Sequence, residues 1–97
     1  MQIIFHSRIY ADLALVIDHY IQNAGQKLAD EFFEEFEALV EKIAERPESF
    51  AIMEHNIRRD NLIRFPYNVL FYRRVNNVKI MAIRHNSRHP LFGTRRR

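Results

Sequence analysis

The chain has no cysteine and no tryptophan, only two glycines and three prolines, and no long apolar run. Without cysteine there are no disulfides and no thiol chemistry, a composition that fits a reducing cytoplasm. Glycine occurs only at Gly25 and Gly93, too sparsely for a loop that cradles phosphates. No apolar stretch approaches the ~20 residues needed to span a bilayer. A charged-then-apolar leader with a small-residue cleavage site is also missing, so neither membrane insertion nor secretion is expected. No internal repeat or low-complexity tract is visible.

What is present suits one globular domain over residues 1–97, with 47% hydrophobic and 28% charged residues. A chain of this length buries roughly two-thirds of its unfolded surface, enough for one modest core. Charge is divided unevenly. Met1 to Glu54 carries four basic and eleven acidic side chains, net −7. His55 to Arg97 carries eleven basic and one acidic, net +10, and the halves give the overall +3. So basic a half points to an anionic partner: nucleic acid, a nucleoprotein or an acidic protein segment.

The stretch Asn61–Pro90 organises the rest. Two runs rich in Val, Ile, Phe and Tyr, Tyr67–Val75 and Val78–Ile83, flank Asn76-Asn77. Asparagine tolerates positive φ, so the pair suits a two-residue hairpin turn. That turn predicts pairing of Val75 with Val78, Arg73 with Ile80, Phe71 with Ala82, Val69 with Arg84 and Tyr67 with Asn86. The other face then carries Leu70 with Ile83 and Asn68 with His85. Both faces are apolar near the middle, which predicts helices on one side and a partial cover on the other, with a partner protein as one candidate.

Gln2–Phe5 reads as a short strand. Ser7 offers a hydroxyl to cap a helix whose apolar positions are Ile9, Leu13, Val16, Ile17, Tyr20 and Ile21. Gly25 can close that helix. A second helix is predicted over Gln26–Glu45, with Leu28, Ala29, Phe32, Phe36, Leu39, Val40 and Ile43 on one face and carboxylates on the other. Glu31 and Glu35 lie one turn apart, but this helix has no histidine to complete a typical ligand set, so no metal and no cofactor are expected. Arg46-Pro47 stops the helix. Glu48–Asn56 reads as a connection, His55–Phe65 as a strand, and residues 93–97 as a mobile basic tail. The predicted fold is α+β, ordered β-α-α-β-β-β, with the helical pair on one face of the sheet.

Candidate functional residues gather where the hairpin ends. His85 has a side chain that titrates near neutrality and can act as base or acid. Arg84, Asn86, Ser87, Arg88 and His89 surround it in one polar cluster, the usual raw material of a site. Arg58, Arg59, Arg73, Arg74 and Lys79 are candidates for binding a partner or nucleic acid.

Several pieces in order resemble the RelE/ParE superfamily of toxins from bacterial type II toxin–antitoxin modules. They are Ala11-Asp12-Leu13, Ile17-x-x-Tyr20-Ile21, Ala29-x-x-Phe32 and Arg46-Pro47. Arg64-Phe65-Pro66-Tyr67-x-Val69-x-Phe71-Tyr72 and Ala82-Ile83-Arg84-His85-x-x-Arg88-x-Pro90 complete the set. The resemblance implies two antiparallel helices on a curved antiparallel sheet, a cytoplasmic growth inhibitor of the plasmid-stabilisation kind, and an antitoxin that wraps it. It offers two targets. ParE-like members poison DNA gyrase, whereas RelE-like members cut mRNA in the ribosome as metal-independent endoribonucleases. In the second case His85, Arg64, Arg84, Arg88 and Tyr67 would be catalytic: His85 as base or acid, the three arginines forked on the phosphate, and Tyr67 stacked on a base. Nuclease-branch members commonly carry arginine where this chain has Asn68, and often a late tyrosine where it has Phe92, which favours the ParE-like reading. A non-toxic binding module is the third alternative.

Overall fold

In the computed structural model, residues 1–49, 52–54 and 56–96 are described. The elements are β1 (Gln2–Phe5), α1 (Ile9–Ala24), α2 (Gln26–Glu45), a single 3-10 turn (Pro47–Ser49), β2 (Ile52–Glu54), β3 (Ile57–Asn61), β4 (Tyr67–Arg73) and β5 (Asn77–His85). One sheet of order β1-β5-β4-β3-β2 carries both helices on one face. Neighbouring strands run antiparallel except β1, which lies parallel to β5. The sheet is therefore mixed rather than wholly antiparallel. The two helices between β1 and the later strands supply the long connection that parallel pairing needs. Part of the expected Glu48–Asn56 connection is the short strand β2; Phe50, Ala51 and His55 lie outside the described residues.

Both helices follow their apolar spacing. Gly25, at φ 98, separates them, and its amide donates to the Tyr20 carbonyl at 2.9 Å. The start of α1 departs from expectation. Ser7 does not cap it; Arg8 occupies the capping position and makes no side-chain cap bond. His6 takes that role instead. Its carbonyl accepts the Ile9 amide at 3.0 Å and its ring Nδ1 accepts the Arg8 amide at 3.1 Å. An imidazole nitrogen here does what a capping hydroxyl would do.

Between helices and sheet, Ile9 and Val16 of α1 and Phe32, Phe36, Leu39, Val40 and Ile43 of α2 pack against Val69, Phe71, Val78, Ile80 and Ile83. The opposite face buries a smaller group: Ile57, Leu70, Met81 and Ala82, with Tyr72 beside it.

The β4–β5 hairpin is real but its register differs from the predicted one. Arg74 donates its amide to the Asn77 carbonyl at 2.8 Å, so the turn is Val75-Asn76, one residue earlier. Neither turn asparagine adopts positive φ; among the described residues Asn56 (φ 65) is the one non-glycine that does. Near the turn this slip leaves each side chain on its predicted face, because it changes every pairing by two residues. Farther along, Leu70 pairs with Ala82 but Phe71 pairs with Ile80, which makes Met81 the extra residue of a β-bulge. The bulge inverts the distal half of β5. Val69 now faces Ile83 rather than Arg84, and Tyr67 faces His85. Three branched side chains, Val78, Ile80 and Ile83, thereby share the helix-facing core. A regular strand would have sent Ile83 to the other side.

β3 ends at Asn61, short of the predicted Phe65. The Glu35 carboxylate of α2 accepts the Ile63 amide at 2.8 Å and the Arg64 amide at 3.3 Å, drawing the chain off the sheet. The tail also differs from expectation. Residues up to Arg96 pack on the molecule, with Thr94 buried and Arg96 tied to Asp12, while Arg97 lies outside the described residues.

Candidate functional site

Because Ile83 turns inward at the bulge, the end of β5 brings Tyr67, Arg84, His85 and Arg88 around one concavity of about 250 Å³ that also touches Asp12 and His19. His85 is exposed. Its Nδ1 accepts the Ser87 amide at 3.0 Å and lies 2.7 Å from the Ser87 hydroxyl. The Tyr67 ring meets the His85 ring edge-on at 5.1 Å and packs on Phe32 at 5.6 Å. Burial raises the Tyr67 phenol above its ordinary range; burial and then the neighbouring Tyr67 do the same for Tyr20. Arg88 sits 4.2 Å over the Phe92 ring, a cation held on an aromatic face.

Arg84 borders the same corner but is only 4% exposed. Its Nε donates to the Asn68 side-chain oxygen at 2.9 Å, and its Nη1 to the Pro90 carbonyl and, at 3.3 Å, to the Phe92 carbonyl. Burial, and then the positive charge of Arg59, lowers its pKa. Asn68 also donates to the Asn86 side chain at 2.9 Å. Arg84 and Asn68 thus form a buried polar knot that fixes the chain after β5. Arg64 does not line the concavity. Its guanidinium binds Glu31 at 2.9 Å and lies 5.5 Å from the Phe65 ring centre. Of the five candidate catalytic residues, four share one corner and one is tied to α2.

A second, larger groove of about 970 Å³ opens on the sheet face away from the helices. Its floor includes Ile57, Tyr72 and Met81; Arg73, Arg74, Lys79 and Arg95 line it as well. Arg73 pairs with the Glu48 carboxylate at 2.7 Å, both partly exposed. Three of the five candidate binding cations therefore belong to this groove. Arg59 pairs in register with Leu70, so it shares the groove's face of the sheet, nearer Arg84. Arg58 pairs with Phe71 and points the other way, donating to the Glu48 carbonyl at 3.4 Å. Asp12, Arg95 and Arg96 also line these concavities, though nothing in their spacing marks them. No periodicity signals that a C-terminal turn will lie down on the sheet.

Among the described residues, no group of three or more His, Asp or Glu side chains is arranged to hold a metal ion. No helix among them is long and apolar enough to cross a membrane.

Against this geometry stand the likenesses to known proteins. The profile of the ParE toxin of the type II toxin–antitoxin system parDE matches residues 3–90. A solved structure described as a chromosomal ParDE toxin–antitoxin system from P. aeruginosa superposes with a TM-score of 0.78. It covers 88% of this chain and 95% of its own at 20% sequence identity, a likeness of fold. No curated protein sequence matches the chain.

Proposed function

The chain belongs to the ParE toxin family of type II toxin–antitoxin systems, and on that premise we propose that it inhibits growth by binding a cytoplasmic target rather than by cutting RNA. The target we infer is DNA gyrase, the one that resemblance to ParE-like toxins implies. The observation that carries the reading is the state of two arginines. A ribonuclease of this kind needs cations free to meet the developing phosphorane charge. Arg84 is buried and holds backbone carbonyls, and Arg64 is held by Glu31. Its antitoxin, in this reading, lays an acidic and apolar segment along the outer sheet groove. The apolar floor and basic lining of that groove are complementary to such a segment.

Induced expression with labelled precursors tests the target. DNA synthesis should stop before protein synthesis, and His85→Gln should stay toxic. Early arrest of protein synthesis with transcripts cut inside codons would refute the binding reading. The nuclease alternative draws on one specific feature, the meeting of exposed His85 with Tyr67 and Arg88. It requires His85→Gln to abolish toxicity in a protein that still folds.

A further inference from the structure

On the side of the molecule where α1 begins, the turn after β1 faces the C-terminal turn across a concavity of about 560 Å³. His6 and Arg8 line it from one bank, Gly93, Arg95 and Arg96 from the other. No acidic side chain lines it. His6 is 6% exposed, and because its Nδ1 accepts the Arg8 amide, the neutral ring carries its proton on Nε2. That N–H has no acceptor among the described residues. The charge of Arg96 is matched by Asp12. Arg8 and Arg95 are exposed, and among the described residues neither forms an ion pair. The positive end of the α1 dipole, with His6 capping its first amides, lies on the same side.

We propose that this concavity binds a phosphate oxyanion, held by the Arg8 and Arg95 guanidinium groups and the Nε2–H of His6, bridging the start of α1 to the C-terminal turn. Two forked cations and a neutral imidazole donor suit a tetrahedral oxyanion, which accepts from several directions at once. The Phe92 ring is already engaged by Arg88 at 4.2 Å and Arg96 at 5.0 Å, and the proposed contacts are N–H donors. The recognised chemistry is therefore the phosphate itself. Its source is either the free anion or the backbone of a nucleic acid. Such a ligand binds only the folded chain, because the two banks are far apart in sequence, and so must raise the unfolding temperature.

The test is a titration of the full chain with inorganic phosphate at fixed ionic strength, followed by NMR and by thermal unfolding. Saturable shifts at His6, Gly93 and Arg95, together with a rising midpoint, are expected. In the double variant Arg8→Gln/Arg95→Gln the affinity should fall about tenfold or more, as two charge-assisted contacts are lost. Both positions are exposed, so that variant should fold; unchanged shifts elsewhere would verify it. Unsaturable shifts, an equal response to acetate, or equal affinity in the double variant would each overturn the proposal. A short DNA duplex separates the sources. Displacement of phosphate by the duplex, with the same residues shifting, assigns the site to backbone phosphates. Binding of inorganic phosphate that the duplex does not disturb assigns it to the free anion.

Discussion

Asp12 and Arg96 stand 84 positions apart in the chain and meet as an ion pair with an N–O separation of 2.5 Å. β1 pairs with β5 only through Ile80, which leaves the following stretch of that strand edge without a neighbour. The Asp12 carboxylate accepts the Ile83 amide at 3.1 Å, and the Arg96 guanidinium donates to the Met81 carbonyl at 3.2 Å. One acid and one base thus satisfy backbone groups that a further strand residue would otherwise meet. They also fasten the C-terminal turn to α1.

Removing one partner of this pair should be costly. Arg96→Ala leaves a buried carboxylate with its charge uncompensated, and a loss of about 3–5 kcal/mol is expected. That is a large part of the ~5–15 kcal/mol typical of a small domain. Asp12→Asn keeps an acceptor for the Ile83 amide and should cost less than Asp12→Ala. Urea unfolding of the two alanine variants and their double mutant measures the coupling, which should exceed about 1 kcal/mol. A coupling near zero would show that the pair is held by the turn rather than holding it.

The two glycines should respond differently to the same change. Gly25 (φ 98) has open space around the position of an added Cβ, so Gly25→Ala bears only the backbone strain, about 1–3 kcal/mol. Gly93 (φ 79) bears that strain too, and its Cβ would stand 2.6 Å from the Cβ of Ala82. Ala82 belongs to β5, an interior strand paired with β4, and cannot step aside. Gly93→Ala should therefore be the more destabilising of the two and should release the turn from the sheet. Comparing the two thermal midpoints, with NMR signals of Thr94 as the local report, checks both statements.

These features divide by how local their causes are. The spacing of Leu28, Phe32, Phe36, Val40 and Ile43 marks one face of α2 whatever it meets, and the observed helix has the predicted bounds. The hairpin was legible for the same reason. The bulge at Met81 was not, because nothing within β5 distinguishes it from a regular strand. It answers the need of Ile83 for the helix-facing core, a demand set by α1 and α2. The early end of β3 depends on Glu35, whose place on an acidic helix face says nothing of a loop it would hold. At the candidate site, sequence singled out His85, Tyr67 and Arg88 because polar groups cluster after a strand. It did not show that Arg84 would be buried. A guanidinium looks the same in sequence whether it meets a ligand or three acceptors of its own chain.

Alkaline pH should weaken the fold through the aromatic cluster. Tyr20 and Tyr67 have phenols raised above their ordinary range, chiefly by burial. An unfolded tyrosine ionises near pH 10, so the folded state is the one that resists ionisation. The stabilisation this gives is fully present below about pH 10 and is lost as pH rises through the folded-state values. The urea midpoint should hold level from neutral pH to about pH 9 and then fall. Tyr67→Phe should flatten part of that fall. An unchanged decline in the variant would assign the effect to other groups.

Association with the antitoxin should depend on charge in its rate and on apolar contact in its lifetime. Lys79 and Arg74 line the outer groove together with Tyr72. Long-range attraction acts before contact, so charge reversal at Arg74 or Lys79 should slow association by about tenfold at low salt. Above ~0.1 M salt, where screening shortens to about 10 Å, the difference from the unaltered chain should shrink. Lys27→Glu, the same charge change at an exposed position of α2, serves as the control and should leave the rate nearly unaltered. Tyr72→Ala removes part of the groove floor without changing charge, and should act mainly on dissociation. Surface-binding kinetics at two salt concentrations separate these effects. If Lys27→Glu slows association as much as Lys79→Glu does, overall charge rather than this groove governs the encounter, and the docking site lies elsewhere.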